Sequence, residues 1–399
     1  MAHTSISRSL WAALAAALLQ LTGCGGGGSD NMGANTSGVG TLRVAITDAP
    51  SCGYDAVSVT IERIRVHQSA LASDGDGGWT DLAVTPVRRL NLLDLSNGVL
   101  AELGQVQLPA GHYTQMRLLL AGNGASAPFA NSVHPSGGNE VALTTPSAQQ
   151  SGLKLNLDID VLPNQVADVV LDFDACKSVV RRGNSGHYNL KPVIAVIPRI
   201  IDVGTIEGFV DPSVAATTTV SAQKGGNPVK ATAPDPVTGK FVLYPVPVGT
   251  YALVLLNPNR VTATVLGVPV VASAAPTIVG AASAPLLPPA AASAPRVVTG
   301  TITTTPQASA PVRAVQTIAS TPVEVAFDNT DDLTGAFALT LPVSAPAWAP
   351  YAPTPTPFSF ASDAAAAGLY EVQASAGGAT KKQAIDVNAP VPPLSFVFP

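Results

Sequence analysis

Five aspartates between positions 158 and 174 form the densest set of potential oxygen ligands in the chain: Asp158, Asp160, Asp168, Asp172 and Asp174. Asp158 and Asp160 are two apart, as are Asp172 and Asp174, so each pair shares a face of an extended chain. If those strands pair, the carboxylates converge as a Ca²⁺ site, which takes about six to eight oxygens. The plainer reading is a solvated face, because Leu155, Leu157, Ile159, Leu171 and Phe173 alternate with the acids. No metal is therefore expected; Asp158, Asp160, Asp172 and Asp174 are the candidates if one binds. Asp74, Asp76 and Asp81 hint at a second calcium loop, but Thr85 stands where the EF-hand's bidentate Glu belongs. A polar hairpin tip fits them better. Gly183-Asn184-Ser185-Gly186-His187 carries a nucleophile type and a base type. It lacks the Gly-x-Ser-x-Gly elbow and the strand–turn–helix context, and Asn and Gly between strands form a hairpin anyway. His67, His112, His134 and His187 have no zinc-ligand spacing. There is no phosphate loop or dinucleotide fingerprint. The reading is no catalytic residue and no cofactor.

The elements that would position these residues read as strands. Leu42, Val44 and Ile46 alternate with polar and small residues, as do Val57, Val59 and Ile61. Ile64 and Val66 then fall out of phase, and a β-bulge at Glu62-Arg63 restores the inward face. Residues 90–103 leave room for a short helix. Leu153 to Ile159 and Val169 to Phe173 alternate cleanly, and Pro192 interrupts a last strand near 188–197, which suggests an edge or a bulge. Net charge is −5 with 12% charged residues and no basic stripe, which excludes a charge-driven nucleic-acid binder.

Past residue 202 the motifs repeat. Gly204-Thr205-Ile206 is echoed by Gly300-Thr301-Ile302, Val220-Ser221-Ala222 by Val312-Arg313-Ala314, Thr238-Gly239-Lys240-Phe241 by Thr334-Gly335-Ala336-Phe337, and Gly249-Thr250-Tyr251 by Gly368-Leu369-Tyr370. The order resembles the carboxypeptidase-regulatory or prealbumin-like β-sandwich. The second copy departs from it at 342–367, a Pro/Ala-rich insertion, which puts its strand pairing in doubt. Residues 281–295 are Ala, Ser and Pro and read as a semi-extended linker. Pro109, Gly111 and Tyr113 match Pro247, Gly249 and Tyr251, so one turn chemistry is expected to recur, with the ring buried and the hydroxyl at the domain end.

Two further resemblances are carried by the remaining stretches. Leu21-Thr22-Gly23-Cys24 follows Arg8 and an apolar run too short for a bilayer span. It looks like the lipobox of a bacterial lipoprotein, which implies acylation of Cys24 and anchoring to a membrane, with the outer membrane as the family-level expectation. Thr47-Asp48-Ala49-Pro50, the strand into His67, the stretch 108–118, Phe173 to Ser178 and Leu190-Lys191-Pro192 together look like the envelope family catalogued as domain of unknown function 4382. That resemblance implies an exported β-domain and carries over no catalytic residue. Export makes oxidation available, and Cys52 and Cys176 are the pair left once Cys24 is acylated. Both follow strand ends, and a disulfide between them is expected.

The fold class is all-β: β-sandwich domains in series behind a lipoprotein signal peptide and a flexible tether. The expected division is a signal peptide at 1–23, a Gly/Ser-rich tether at 24–39 and a first β-domain at 40–201. A sandwich at 202–280, the linker at 281–295 and a divergent second copy at 296–399 follow. The expected function is a non-catalytic envelope lipoprotein for binding, adhesion or architecture. Its partners are the membrane, through the lipid, and an envelope protein or glycan. The alternatives are a hydrolase or metal-dependent enzyme in the first domain, or a glycan- or small-molecule-binding uptake component. A deep pocket lined by Asp48, Arg117 or Asp174 favours the enzyme.

Overall fold

The computed structural model describes residues 38–48, 53–145, 151–199, 202–353 and 357–399. The leader, Cys24, all but the last two residues of the tether, and Cys52 lie outside the described residues.

The period-two alternation of the first region builds a sandwich. One sheet has the order Ile194–Pro198, Val166–Phe173, Val39–Asp48, Ala101–Pro109, with the middle pair parallel. The other sheet is organised around the long strand Tyr54–His67, which pairs with Gly111–Leu120, Ser132–Pro135, Thr80–Ala83 and Arg89–Asn91. Leu153–Val161 closes it as an edge. Leu42, Val44, Ile46, Leu171 and Phe173 meet Val57, Val59, Met116 and Leu118 in a single core. The bulge expected at Glu62-Arg63 is present: the register slips between Ile61 and Arg63. The short helix expected within 90–103 is a 3₁₀ turn, Leu92–Leu95. Pro192 marks a crossover, because Tyr188–Leu190 lies in one sheet and Ile194–Pro198 forms the edge of the other.

The two later copies fold as sandwiches of one plan. Each has a three-stranded sheet, Lys240–Pro247, Val203–Phe209, Thr277–Val279 in the first and Ala336–Leu341, Arg296–Thr303, Leu394–Val397 in the second. Facing these are Asn227–Thr232, Thr219–Lys224, Gly249–Leu256, Ala263–Val270, and Thr321–Asn329, Pro311–Ile318, Leu369–Ala376, Ala379–Asp386. The structure shifts one part of the repeat alignment. Gly208 pairs with Phe241 as Gly300 pairs with Phe337, so Gly208, not Gly204, is the counterpart of Gly300. Close packing fixes glycine at both: a β-carbon on Gly208 would stand 2.0 Å from Val279 O, and one on Gly300 2.5 Å from Phe337 Cζ.

The tyrosine turn recurs in all three sandwiches. Tyr113 donates its hydroxyl to Pro109 O (3.1 Å), Tyr251 to Pro247 O (2.7 Å) and Tyr370 to Pro342 O (2.5 Å). The 342–367 insertion therefore sits inside the turn of the last copy without breaking it. It does not merely replace a tight turn. Its strand Ala347–Pro350 adds in parallel to Ala263–Val270 of the preceding sandwich, and Ala361–Ser362 pairs beyond it.

The expected linker also differs. Leu286 is fully buried in the middle sandwich's core, donates its N–H to Phe209 O (2.7 Å) and accepts from Asp211 N (2.9 Å). A leucine among Ala and Pro gains enough from burial to pin the segment. The segment expected as a semi-extended linker is thus docked on the middle sandwich at Leu286. Ala252 and Val254 of the middle sandwich belong to the core cluster of the last one, and the described residues fall in one compact unit, Thr36–Pro399.

Candidate functional site

The aspartate set divides by sheet. Asp158 and Asp160 lie on the edge strand Leu153–Val161 with 93% and 72% of their side chains exposed, as the solvated-face reading requires. They flank His112, whose Nδ1 is 2.9 Å from Asp160 and Nε2 3.4 Å from Asp158. Asp168, Asp172 and Asp174 come from the opposite sheet, so the two pairs do not converge. Among the described residues no group of three or more His, Cys, Asp or Glu is placed to hold a metal.

For Asp168, Asp172 and Asp174 the solvated-face expectation is overturned. The outer face of Val166–Phe173 is covered. Asp168 pairs with Arg43 and, at 2.6 Å, with Arg199. Asp172 Oδ1 accepts from Lys230 Nζ of the middle sandwich at 2.5 Å. Asp174 caps the turn Ala175–Ser178 by accepting from Lys177 N at 3.0 Å. Period-two patterning says which residues leave the core; it cannot say that a second domain will cover them.

These residues open onto a junction of all three sandwiches. Lys177 reaches across to Glu324 of the last sandwich (2.9 Å), and its ammonium sits 4.7 Å over the Phe327 ring. Glu324 is the hub. Its backbone is clasped by Gln223 of the middle sandwich, which donates to Glu324 O (2.9 Å) and accepts from Glu324 N (2.7 Å). Arg313 stands 3.4 Å from the same carboxylate and donates to Asn227 Oδ1 at 2.6 Å. Asp332 accepts from Lys191 (2.6 Å) and Asn189 (2.9 Å) of the first sandwich. Asn97 ties the first sandwich to the middle one through Thr232 and Val242.

Between these clamps lies a cleft of about 970 Å³, lined among others by Tyr54, Asp174, Lys177, Glu324, Phe327 and Asp328. Burial pushes the Asp174 and Asp328 carboxyls above their ordinary range, and burial raises the Tyr54 phenol to about 12. Tyr54 packs edge-on to Tyr188, with ring centroids 6.3 Å apart.

The other candidates resolve differently. Asp74 and Asp81 pair with Arg65 at 2.6 and 2.9 Å, and Asp76 accepts from Ser73 N. They form a hairpin tip around Trp79, whose ring lies 4.8 Å from both the Arg65 and the Arg117 guanidinium. Arg117 is therefore part of that stack, away from the cleft lining. Asp48 is wholly buried and accepts from Ala175 N at 2.9 Å. Ser185 donates to Arg182 O in an exposed turn, with His187 also exposed. Cys176 lines the cleft and is not a free thiol; Cys52 and Cys24 lie outside the described residues.

Sequence reasoning missed Lys177, Lys230, Glu324, Asp331 and Asp332. One signal was present. Asp235 and Asp331 each precede the repeated Thr-Gly by three residues, and each carboxylate accepts from the Thr backbone and hydroxyl, at 2.7 and 2.8 Å for Thr238 and 2.8 and 2.9 Å for Thr334.

Residues 39–192, in the first sandwich, match the family described as Domain of unknown function (DUF4382), close to the boundaries expected from the sequence. No curated protein matches the chain. Among solved structures, the chain is similar to the Corynebacterium diphtheriae major pilin SpaA at 13% identity, over 90% of this chain and 99% of that one, with a TM-score of 0.17. A score that low carries neither fold nor role across.

Proposed function

We propose that this chain is a non-catalytic protein of the bacterial envelope, anchored through lipid on Cys24 and displaying three interlocked sandwiches for binding or adhesion. One observation carries the reading: the charged side chains that converge at the junction are engaged in pairs that hold one sandwich to another. Lys177 with Glu324, Lys230 with Asp172, and Lys191 with Asp332 each cross a domain boundary. Groups held this way keep their neighbours in register and are not placed as a nucleophile and its base. The prealbumin-like plan of the later copies suits the same role, as does a disulfide between Cys52 and Cys176. The partner is an envelope protein or glycan meeting the junction cleft.

A second reading rests on Asp174. A carboxyl raised by burial at the edge of a cleft is the type of group that serves as a general acid, which favours a hydrolase. Complementation of a deletion strain by Asp174→Asn separates the two: retained function supports display, and loss with intact fold and surface exposure supports the enzyme. Anchoring is read by mass spectrometry of the mature N-terminal peptide, where diacylglyceryl on Cys24 is expected. An unmodified Cys24 removes the anchor from the proposal.

A further inference from the structure

Among the described residues Lys230 is the most deeply buried basic side chain, with 1% of it reaching solvent. It projects from Asn227–Thr232 of the middle sandwich against the outer face of Val166–Phe173 in the first. Its Nζ stands 2.5 Å from Asp172 Oδ1 and 3.4 Å from Asp48 O. Asp172 is itself 10% exposed, and Asp48 is fully buried. An ammonium carries three donors, and only one of the two contacts here is short. An ion pair in such a place fixes register but adds little net stability, because desolvating two charges offsets most of their attraction unless hydrogen bonds saturate both.

We propose that Lys230 and Asp172 condense into an intramolecular amide, an isopeptide cross-link between the first and middle sandwiches. A proton passes from Nζ to the Asp172 carboxylate across their contact, leaving a neutral amine facing a carboxylic acid. The Nζ lone pair attacks Cγ, the Cγ–OH bond breaks, Nζ gives up a further proton, and one water leaves. No oxidant, reductant or activated co-reactant is needed. The fold replaces a bimolecular encounter with a held contact, a substitution associated with effective molarities of about 10⁵–10⁸ M. The product is neutral and permanently ties the two domains.

The test is peptide mapping of the full chain, purified folded, then denatured, reduced and digested with trypsin. The expected result is a branched peptide joining the Lys230 and Asp172 segments, lighter than their sum by one water, with cleavage after Lys230 lost and the linear peptides depleted. Lys230→Met and Asp172→Ala must each abolish it. Should those variants fold poorly, the wild-type digest decides alone. Linear peptides of unmodified mass from folded protein, with normal cleavage after Lys230, overturn the proposal. So does a branch mapped to any other pair.

Discussion

The segment 281–295 separates two views of how the chain is held together, and two adjacent leucines test it. Leu286 is fully buried against Val210 and Val279, whereas Leu287 is 43% exposed. Leu286→Ala removes apolar surface and leaves a cavity that a close-packed β core only partly closes, a change that costs about 2–5 kcal/mol. The backbone bonds to Phe209 and Asp211 persist in the variant, so the loss comes from side-chain packing. Leu287→Ala, one residue on, changes a half-solvated site, where substitutions stay within about 0.5 kcal/mol. Chemical denaturation of the two variants against the parent, monitored by circular dichroism, gives the comparison directly. The midpoint is expected to fall for Leu286→Ala and to stay for Leu287→Ala, with the slope unchanged in both. Limited proteolysis adds a second reading: 281–295 resists cleavage in the parent and becomes sensitive in Leu286→Ala. If the two variants behave alike, within about 0.5 kcal/mol, the segment is a free linker and the reasoning fails.

Lys177→Met leaves the Glu324 carboxylate with Arg313 alone. Because Lys177 is partly exposed, the expected cost is about 2–3 kcal/mol, below the full range for a broken buried pair, and Lys177→Met/Glu324→Gln should cost less than the sum of the single changes in a denaturation cycle. Gly335→Ala puts a β-carbon 2.1 Å from Ile302 O and Gly239→Ala one 1.8 Å from Val210 O, whereas Gly225→Ala meets nothing within 4 Å; the first two should destabilise well beyond the left-handed backbone cost of about 1–2 kcal/mol, and the third by no more than that. For Asp174, a carboxyl raised in the folded state binds its proton more tightly than the unfolded chain does, so its contribution to stability falls as pH rises from the ordinary carboxylate value through the folded one. Asp174→Asn, which keeps an oxygen for Lys177 N, should therefore gain on the parent as pH rises through that window and show no gain below it; a pH-independent difference in thermal scans contradicts the assignment. A thiol count on protein matured in an oxidising compartment and unfolded without reductant should find neither Cys52 nor Cys176 free, and two free thiols reject their bond.

The fold was legible where one residue answers to one local demand. Glu62 declared its bulge because the alternation on either side of it cannot otherwise keep Ile61 and Ile64 on one face. The tyrosine turn showed itself because ring burial and a hydroxyl acceptor need Pro, Gly and Tyr at fixed offsets. The junction was not legible. Asp172 and Asp160 look alike in sequence, each an acid between apolar neighbours. What separates them is Lys230, 58 residues further on, which has no periodic relation to either. Glu324 likewise sits in a strand whose alternation would suit a solvent-facing acid. Contacts between domains depend on how finished sandwiches dock, and no local pattern encodes that.

The insertion in the last copy shows how such docking becomes obligatory. Tyr370 and Pro342 keep their hydrogen bond across 28 positions, against 4 in each of the other sandwiches. Lengthening a closed loop adds only about 0.6 kcal/mol per doubling, so the turn tolerates the excursion. The excursion then supplies a strand to a sheet in another domain, with Ala347 and Ala349 buried there and Tyr351, Phe358 and Phe360 packed on that domain's core. The apolar area covered by three aromatic side chains outweighs the closure term severalfold at about 25 cal/mol per Å². The middle sandwich thus takes part of its outer sheet from residues that follow it by more than sixty positions, and its edge strand Ala263–Val270 is covered instead of open to pairing with other chains. A chain built this way gains rigidity and edge protection from one device.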